Sequence, residues 1–348
     1  MLKKPATLKD IAALAGVSAT AVSLALNNQP GIGGKKREQI LKIASELEYR
    51  PNFLARSMVG KRSNTIGLLI NNISDPFYAA MVQNAEESAR KNGLSLIVCN
   101  VNDNDKLEKY YIDVLISQRV EGIIISSVRH NSPHIEKLVK DGFPFVLAGR
   151  RIYDREIEDR INIVVLDNFT AGYQAFTHLY RLGHDRIAIL TGSMSSSTNI
   201  ERTNGALKAA EDHGLNVDKG LVIECGNSKE RAFDAAADLL KGGKAPTAIF
   251  AEDDNMALSA REAIISQGYG IPEDIALLGF DNIYVGALSG IDLSTVREKR
   301  YAIAEQSVSL LLEAIKNRDK DSVHKHFVLE TDLVIRKSCG FHLQGYVR

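Results

Sequence analysis

Residues 9–28 read KDIAALAGVSATAVSLALNN, and from Ile11 to Asn28 they carry no charge. Their surroundings are the most basic in the chain. Residues 1–62 hold eleven Lys or Arg against four acids, a net of +7, while the remaining residues hold 32 against 39, a net of −7. An uncharged stretch inside a basic head is explained if it is the packed part of a small helical unit. Thr7 offers an N-cap hydroxyl, and Ile11, Leu14 and Ala15 follow at helical spacing up to Gly16, a natural stop. Ser18 can cap a second helix with Val22, Ala25 and Leu26 inward. Only Gly16, Val17 and Ser18 separate the two, and the alanines at 12, 13, 15, 19 and 21 permit close approach, as a helix-turn-helix requires. Two such short helices need a third to close their core. It is expected over 35–49, with Ile40, Leu41, Ile43, Ala44 and Leu47 inward and Lys35, Lys36, Arg37 and Lys42 outward.

A basic head on an acidic body is the footprint of nucleic-acid contact confined to the head, because phosphate repels the remainder. A three-helix dimerisation module is the alternative. The next stretch, YRPNFLARSM (49–58), weighs against it: Pro51 ends a helix, Asn52 caps a short one, and Leu54, Ala55 and Met58 share a face beside Arg56, Lys61 and Arg62. The segment GIGGK (31–35) fits no phosphate-binding fingerprint and follows no strand, so it reads as a turn.

From Thr65 onward, apolar runs (TIGLLI, LSLIVCN, VEGIIIS, FPFVLA, INIVVL, RIAILTG, LVIEC, TAIFA and IALLGF) alternate with amphipathic helical segments at 77–92, 106–118, 171–182, 199–213, 229–241 and 255–267. This pattern predicts parallel sheets covered on both faces, with too many strands for one doubly wound unit. In such sheets ligands sit beyond the carboxyl ends of strands. That directs attention to Asn71, Asn72, Ser74, Asp75, Phe77, Tyr78, Ser126, Gly149, Arg150, residues 191–198 and 252–255, and Asp281-Asn282. Aromatic rings, arginine, carboxylates and hydroxyls together suit a polyhydroxylated ligand.

The segments TLKDIAALAGVSATAVSLALN, YRPNFLARSM, NTIGLLI, DPFY, RVEGIIIS, LGHDRIAIL, PEDIALLGFDN and LSTVR, spread over nearly the whole chain, resemble the lactose/galactose/purine repressor family of bacterial transcription regulators. The resemblance implies an N-terminal all-α helix-turn-helix head with a hinge helix, followed by an α/β periplasmic-binding-protein-like body of two doubly wound parallel-sheet subdomains. The implied boundaries are 1–50 for the DNA-binding head, 51–63 for the hinge, 64–166 plus about 299–324 for the first lobe, and 167–298 plus about 325–348 for the second. The implied partners are a near-palindromic double-stranded operator, a second copy of the chain and a small effector, most simply a sugar or sugar derivative; the dimer surfaces are expected near 81–89 and 107–114.

Carried over by position, base reading falls on Ala19, Thr20 and Leu24, phosphate contact on Ser18 and Ser23, and a polar backbone position on Asn27. Thr7, with Asn52, Ala55, Arg56 and Met58 of the hinge, joins the expected DNA contacts. Ala21 replaces a common threonine, Leu24 offers only apolar contact, and Met58 stands where a leucine wedge is usual, so DNA shape is expected to carry much of the specificity. Arg202 and Asp281 fall on the family's ligand-anchoring pair, Phe77 and Tyr78 on first-lobe contacts, and Thr198, Asn227 and Asp254 on further lining, beside Ser126 and Arg150.

No enzyme signature intervenes. GxSxG, HExxH and a glycine-rich dinucleotide loop are missing, and His130 and His134 read as surface residues without acids or cysteines to complete a metal site. The three widely spaced cysteines read as reduced thiols in or near cores. No cofactor, membrane association or secretory signal is expected, which places the protein in the cytoplasm. A sugar-transport protein on the same body and a sugar dehydrogenase are the rival readings. The +7 head opposes the first, and the missing dinucleotide loop opposes the second.

Overall fold

The computed structural model describes residues 6–49, 63–226, 228–241, 244–318 and 323–343. The chain forms two compact units, which divide at Ser63. In the first, α1 (Leu8–Ala15), α2 (Ala19–Leu26) and α3 (Gly34–Glu46) enclose a small core in which Ile11, Val22 and Ile40 are fully buried, ringed by Ala12, Ala15, Ala25 and Ala44. Thr7 and Asp10 form a reciprocal capping box at the start of α1. Gly16 ends α1 in the left-handed region at φ 62°, and its N–H bonds to the carbonyl of Ala12. α1 and α2 meet at a bend of 102°, within the range of a helix-turn-helix. Two expected core residues are outside: Leu14 is 62% exposed and Leu41 43%. The inward stripe runs through 11, 12 and 15 on α1 and through 40 and 44 on α3, and neither leucine falls on it at 100° per residue.

In the second unit the chain alternates as the apolar runs predict. The first lobe contains β1 (Thr65–Ile70), α4 (Pro76–Lys91), β2 (Ser95–Asn100), α5 (Asp105–Ser117), β3 (Gly122–Ile125), α6 (Pro133–Lys140), β4 (Phe145–Ala148), α7 (Arg155–Glu158) and β5 (Asn162–Leu166). The second contains α8 (Asn168–Arg181), β6 (Ile187–Thr191), α9 (Ser197–Asp212), β7 (Val222–Glu224), α10 (Lys229–Lys241), β8 (Ala248–Ala251), α11 (Asp254–Ser266), β9 (Ala276–Phe280) and β10 (Ser294–Arg297). The chain then returns for α12 (Arg300–Lys316) and β11 (His326–Leu329), and crosses once more into β12 (Asp332–Val334). The sheet orders are β2-β1-β3-β4-β5-β11 and β7-β6-β8-β9-β10-β12. Each is a doubly wound order that reverses beside its first strand, so each lobe offers a crevice at that switch point.

Two sequence expectations need adjustment. β11 runs parallel to β5, pairing Val328 with Val165, so the stretch from 325 that was assigned to the second lobe stays in the first sheet until Leu329. β12 runs antiparallel to β10, which closes the second sheet with a reversed edge strand. α12 covers the first sheet through Ile303, Ala304, Val308 and Leu311, in one core with Ile66, Leu68 and Val146. The three cysteines are free thiols and buried.

α8 and α9 approach to backbone contact. A Cβ on Gly172 would lie 2.1 Å from the Arg202 carbonyl oxygen, and one on Gly205 would lie 2.0 Å from that of Phe169. The two glycines let α9 settle against α8, and this fixes where Arg202 enters the cleft.

Candidate functional site

In the head, Ser18, Ala19 and Thr20 are exposed at the amino end of α2, while Ser23, Leu24 and Asn27 are half-buried. Ser18 Oγ accepts the N–H of Ala21 at 3.2 Å, which leaves its hydroxyl proton available. The first turn of α2 contains no acid, so the positive end of the helix is uncancelled and suits phosphate. Thr7 differs: its hydroxyl already donates to Asp10 Oδ2 at 2.7 Å, so it serves first as a cap. The Asn27 amide donates to the Ser23 carbonyl at 2.6 Å. Arg37 donates to Asn28 Oδ1 and to the Gln29 carbonyl, tying α3 to the end of α2. Asn52, Ala55, Arg56 and Met58 lie outside the described residues, as does Asn227.

Between the lobes lies a cleft of about 160 Å³ at the carboxyl ends of both sheets. Phe77, Tyr78, Ser126, Arg150, Thr198, Arg202 and Asp281 all line it. Phe77 and Tyr78 open α4 and pack edge to face with centroids 4.9 Å apart. Arg150 is held by protein: it donates to the Ser127 carbonyl at 3.1 Å and the Tyr78 hydroxyl at 3.3 Å, and pairs with Asp103 at 3.5 Å. Burial pushes the Tyr78 phenol up to about 12, so it stays a neutral hydrogen-bonding group.

Arg202 is also held on several sides. Its Nε donates to Asn168 Oδ1 at 3.1 Å, a terminal nitrogen donates to the Glu252 carbonyl at 2.6 Å, and its plane lies 3.4 Å from the centre of the Phe280 ring. Asp281 Oδ1 is 3.9 Å from the same guanidinium. Asp281 has φ 103° and Asn282 φ 51°, conformations that cost side-chain-bearing residues of order 1–3 kcal/mol and collect at functional sites. Arg300 donates to both their carbonyls, and Arg336 donates to Asn282 Oδ1 at 2.7 Å, so neighbouring cations pin the turn.

Asp254 departs from the expectation. It is fully buried and does not line the cleft; its carboxyl accepts Thr295 Oγ1 at 2.7 Å and the Ile283 N–H at 2.8 Å. Burial raises it to about 7, and its role is to brace the β9 turn. Its neighbours Glu252 and Asp253 face the cleft instead. Glu252 accepts Thr191 and Thr203 hydroxyls at 2.6 Å each, and burial raises it to about 7. Asp253 caps α11 through the Met256 N–H, and burial raises it to about 6. Both stand at the carboxyl end of β8, where the strand-end rule pointed. Sequence reading missed Glu298, Ser228 and Lys229. Glu298 follows a strand too polar to be recognised, STVR, although the same strand-end rule would have found it once β10 was drawn.

One rim of the cleft is bridged. The His130 N–H and Nδ1 both meet the Ser195 carbonyl, at 3.1 and 2.8 Å, so His130 is half-buried and not a surface residue. Arg151 donates its backbone N–H to Ser197 Oγ at 2.9 Å and pairs with Glu201 at 3.2 Å. Thr198 Oγ1 donates to the Gly149 carbonyl at 3.2 Å. Among the described residues no group of side chains could hold a metal ion, and no single helix is long and apolar enough to cross a membrane.

The model of periplasmic binding proteins and sugar binding domain of LacI family matches residues 63–330, and that of bacterial regulatory proteins, lacI family, matches 7–52. The HTH-type transcriptional regulator DegA of Bacillus subtilis (strain 168) is 33% identical over 342 residues, covering 95% of this chain and 97% of that protein. The HTH-type transcriptional repressor PurR of Histophilus somni (strain 129Pt) is 29% identical over 334 residues, covering 96% and 98%. Among solved structures, the Lac repressor dimer bound to operator and the anti-inducer ONPF superposes with a TM-score of 0.86 at 27% identity, covering 97% of this chain and 99% of that one. With a reading head of the right geometry, a two-lobed body and these matches along its length, the chain belongs to the lacI family of bacterial DNA-binding transcription regulators, and it is not an enzyme.

Proposed function

We propose that the protein is a homodimeric cytoplasmic repressor of a near-palindromic operator, controlled by a sugar or sugar derivative bound between the lobes. The observation that carries the effector reading is the cleft itself, where Arg202 and Asp281 meet on the second lobe with Phe77 on the lining. Fixed polar groups beside a flat ring suit hydroxyls and the apolar face of a pyranose. A purine is the second reading, because a PurR repressor is among the relatives. A planar base gains most from aromatic faces on both sides. Among the described residues the only aromatics in the lining, Phe77 and Tyr78, lie in one lobe with their planes 69° apart, which favours the sugar.

Ligand binding would act by changing the angle between lobes joined by three chain crossings, and so the separation of the two body entrances across a dimer. Of the two stretches expected to form the dimer surface, 81–89 turns Met81, Ala85 and Ala89 into the core and leaves Gln83 and Glu86 exposed on its other face, while 107–114 presents Tyr110 at 58% exposure. Expected contact with DNA involves Ser18, Ala19, Thr20 and Leu24, with affinity falling steeply with salt. A thermal-shift screen of sugars and purines, followed by operator titration with each hit, tests the whole reading. Absence of preference for any twofold-symmetric site over bulk DNA refutes the operator claim. Stabilisation by purines but not sugars refutes the effector claim.

A further inference from the structure

The first lobe carries a second cavity, at the end of its sheet remote from the cleft. Beside the amino ends of β4 and β5 lies a groove of about 310 Å³, against about 160 Å³ for the cleft. Its floor is apolar. Leu138, Phe145 and Ile161, all buried, supply it from α6, β4 and the approach to β5. The rim carries Arg160, Arg318 and His324, all exposed, and among the described residues no carboxyl group lines it.

The polar groups of the rim are short of acceptors. Neither the Arg160 nor the Arg318 guanidinium makes a hydrogen bond or ion pair among the described residues; Arg318 lies 5.9 Å from the centre of the Phe143 ring. Desolvation, then the charges of Arg160 and His326, hold the His324 imidazole below its usual range, as expected where cations crowd without a counter-charge. Asn162 is only 8% exposed, and its Oδ1 accepts the Lys325 N–H at 3.0 Å. That bond fixes which end of the amide is oxygen. The Nδ2 donor therefore points away from Lys325, and among the described residues no protein acceptor meets it. A buried donor left open costs free energy that a bound acceptor would recover.

Helix ends do not account for these cations. α6 and α12 terminate at the groove, where Val139 and Asn317 line it, and each carboxyl end carries about half an elementary negative charge. Together they balance one arginine. The other arginine and the Asn162 donor are left over.

We propose that this groove is a second ligand site, separate from the interlobe cleft, for a small organic anion: its phosphate or carboxylate is held by Arg160, Arg318 and the Asn162 amide, and its apolar part lies on Phe143, Phe145 and Ile161. Guanidinium forks match the oxygens of such groups, and the apolar floor gives a ring or short carbon skeleton somewhere to lie. A ligand here ties the end of α12 to the starts of β5 and β11, and so stabilises the first lobe whichever effector the cleft takes.

The test is calorimetric titration and thermal shift of the full chain with phenyl phosphate and benzoate, beside phenol as the uncharged counterpart. Each anion is expected to raise the melting temperature and to bind about tenfold or more tightly than phenol. Asn162→Asp keeps the acceptor for Lys325 but turns the open donor into a carboxylate oxygen, so it should weaken both anions by about tenfold or more. The double variant Arg160→Ala, Arg318→Ala should do the same, and both positions are exposed, so its fold should be intact. Arg202→Ala perturbs the cleft and should leave anion affinity within about threefold. Failure of both anions to bind below about 10 mM overturns the proposal, as does equal binding of phenol or unchanged affinity in the double arginine variant. Loss in Arg202→Ala with none in the double variant would put the anion in the cleft and overturn it too. If Asn162→Asp or Arg202→Ala lacks a cooperative melt, the double arginine variant decides alone.

Discussion

Gly172→Ala puts the packing of α8 on α9 under direct test, because two effects of opposite sign compete. In an exposed helix interior, alanine in place of glycine gains about 1 kcal/mol. Here the new methyl would lie 2.1 Å from the Arg202 carbonyl oxygen, and relief to 3.4 Å needs a shift of about 1.3 Å between two helix backbones. No side chain can rotate away, so the strain falls at or above the usual 1–3 kcal/mol for overpacking. A net loss of about 2 kcal/mol, at 2–4 °C per kcal/mol for a body of this size, lowers the melting temperature by roughly 4–8 °C. Because the clash is at Arg202 itself, effector affinity should fall as well, while head-only binding to non-specific DNA is unchanged. Gly205→Ala should behave alike. The double variant should cost less than the two together, since one separation of the helices relieves both clashes. Scanning calorimetry at fixed pH with effector titration reads all of this. A melting temperature that rises in Gly172→Ala would refute the backbone contact.

The buried acids give a pH signature. Glu252 near 7, Asp253 near 6 and Asp254 near 7 are all raised, so between about pH 4 and 7 the native body binds more protons than the unfolded chain. Stability is then fullest below the unfolded carboxyl range and falls as pH rises through 6 to 7; melting scans from pH 5 to 8 should show this loss, and Glu252→Gln should flatten it. Asp254→Asn should fold and bind effector within about threefold of wild type, whereas Asp281→Asn should lose about tenfold or more by titration. Ser18→Ala should cost the head about 1 kcal/mol of stability. Ser18→Asp keeps the cap but sets a negative charge at the phosphate-facing end of α2, so it should fold normally and fail to shift operator in a gel; unimpaired binding would remove Ser18 from the interface.

The parts of this fold legible in the sequence were those where one physical signal acts alone. TIGLLI and INIVVL announce buried strands because beyond Thr65 and Asn162 they run on without a polar residue, and the strand-end rule then reached Asp75, Glu252 and Asp253 without further help. STVR was invisible as a strand because three of its four residues are polar, and Glu298 went with it; HFVL is apolar but only four residues long at a sheet edge. Position matching placed Asp254 in the lining, where Asp253 in fact stands. Adjacent acids at a helix start point in different directions, and only the cap geometry tells which one turns inward. Leu14 and Leu41 were misjudged because apolar character was counted before angle. Gly172 and Gly205 look like ordinary helix weaknesses until the partner helix is in place.

The return of the chain to the first sheet has a temporal consequence. As the ribosome releases the polypeptide from its amino end, the three-helix head and most of the second lobe emerge before α12 and β11, which begin at Arg300 and His326. Until then the first sheet lacks its outer strand and the helix that covers Ile66, Leu68 and Val146. A nascent molecule thus acquires its reading head long before the body can close, and maturation of the first lobe waits until residues 300–329 have emerged.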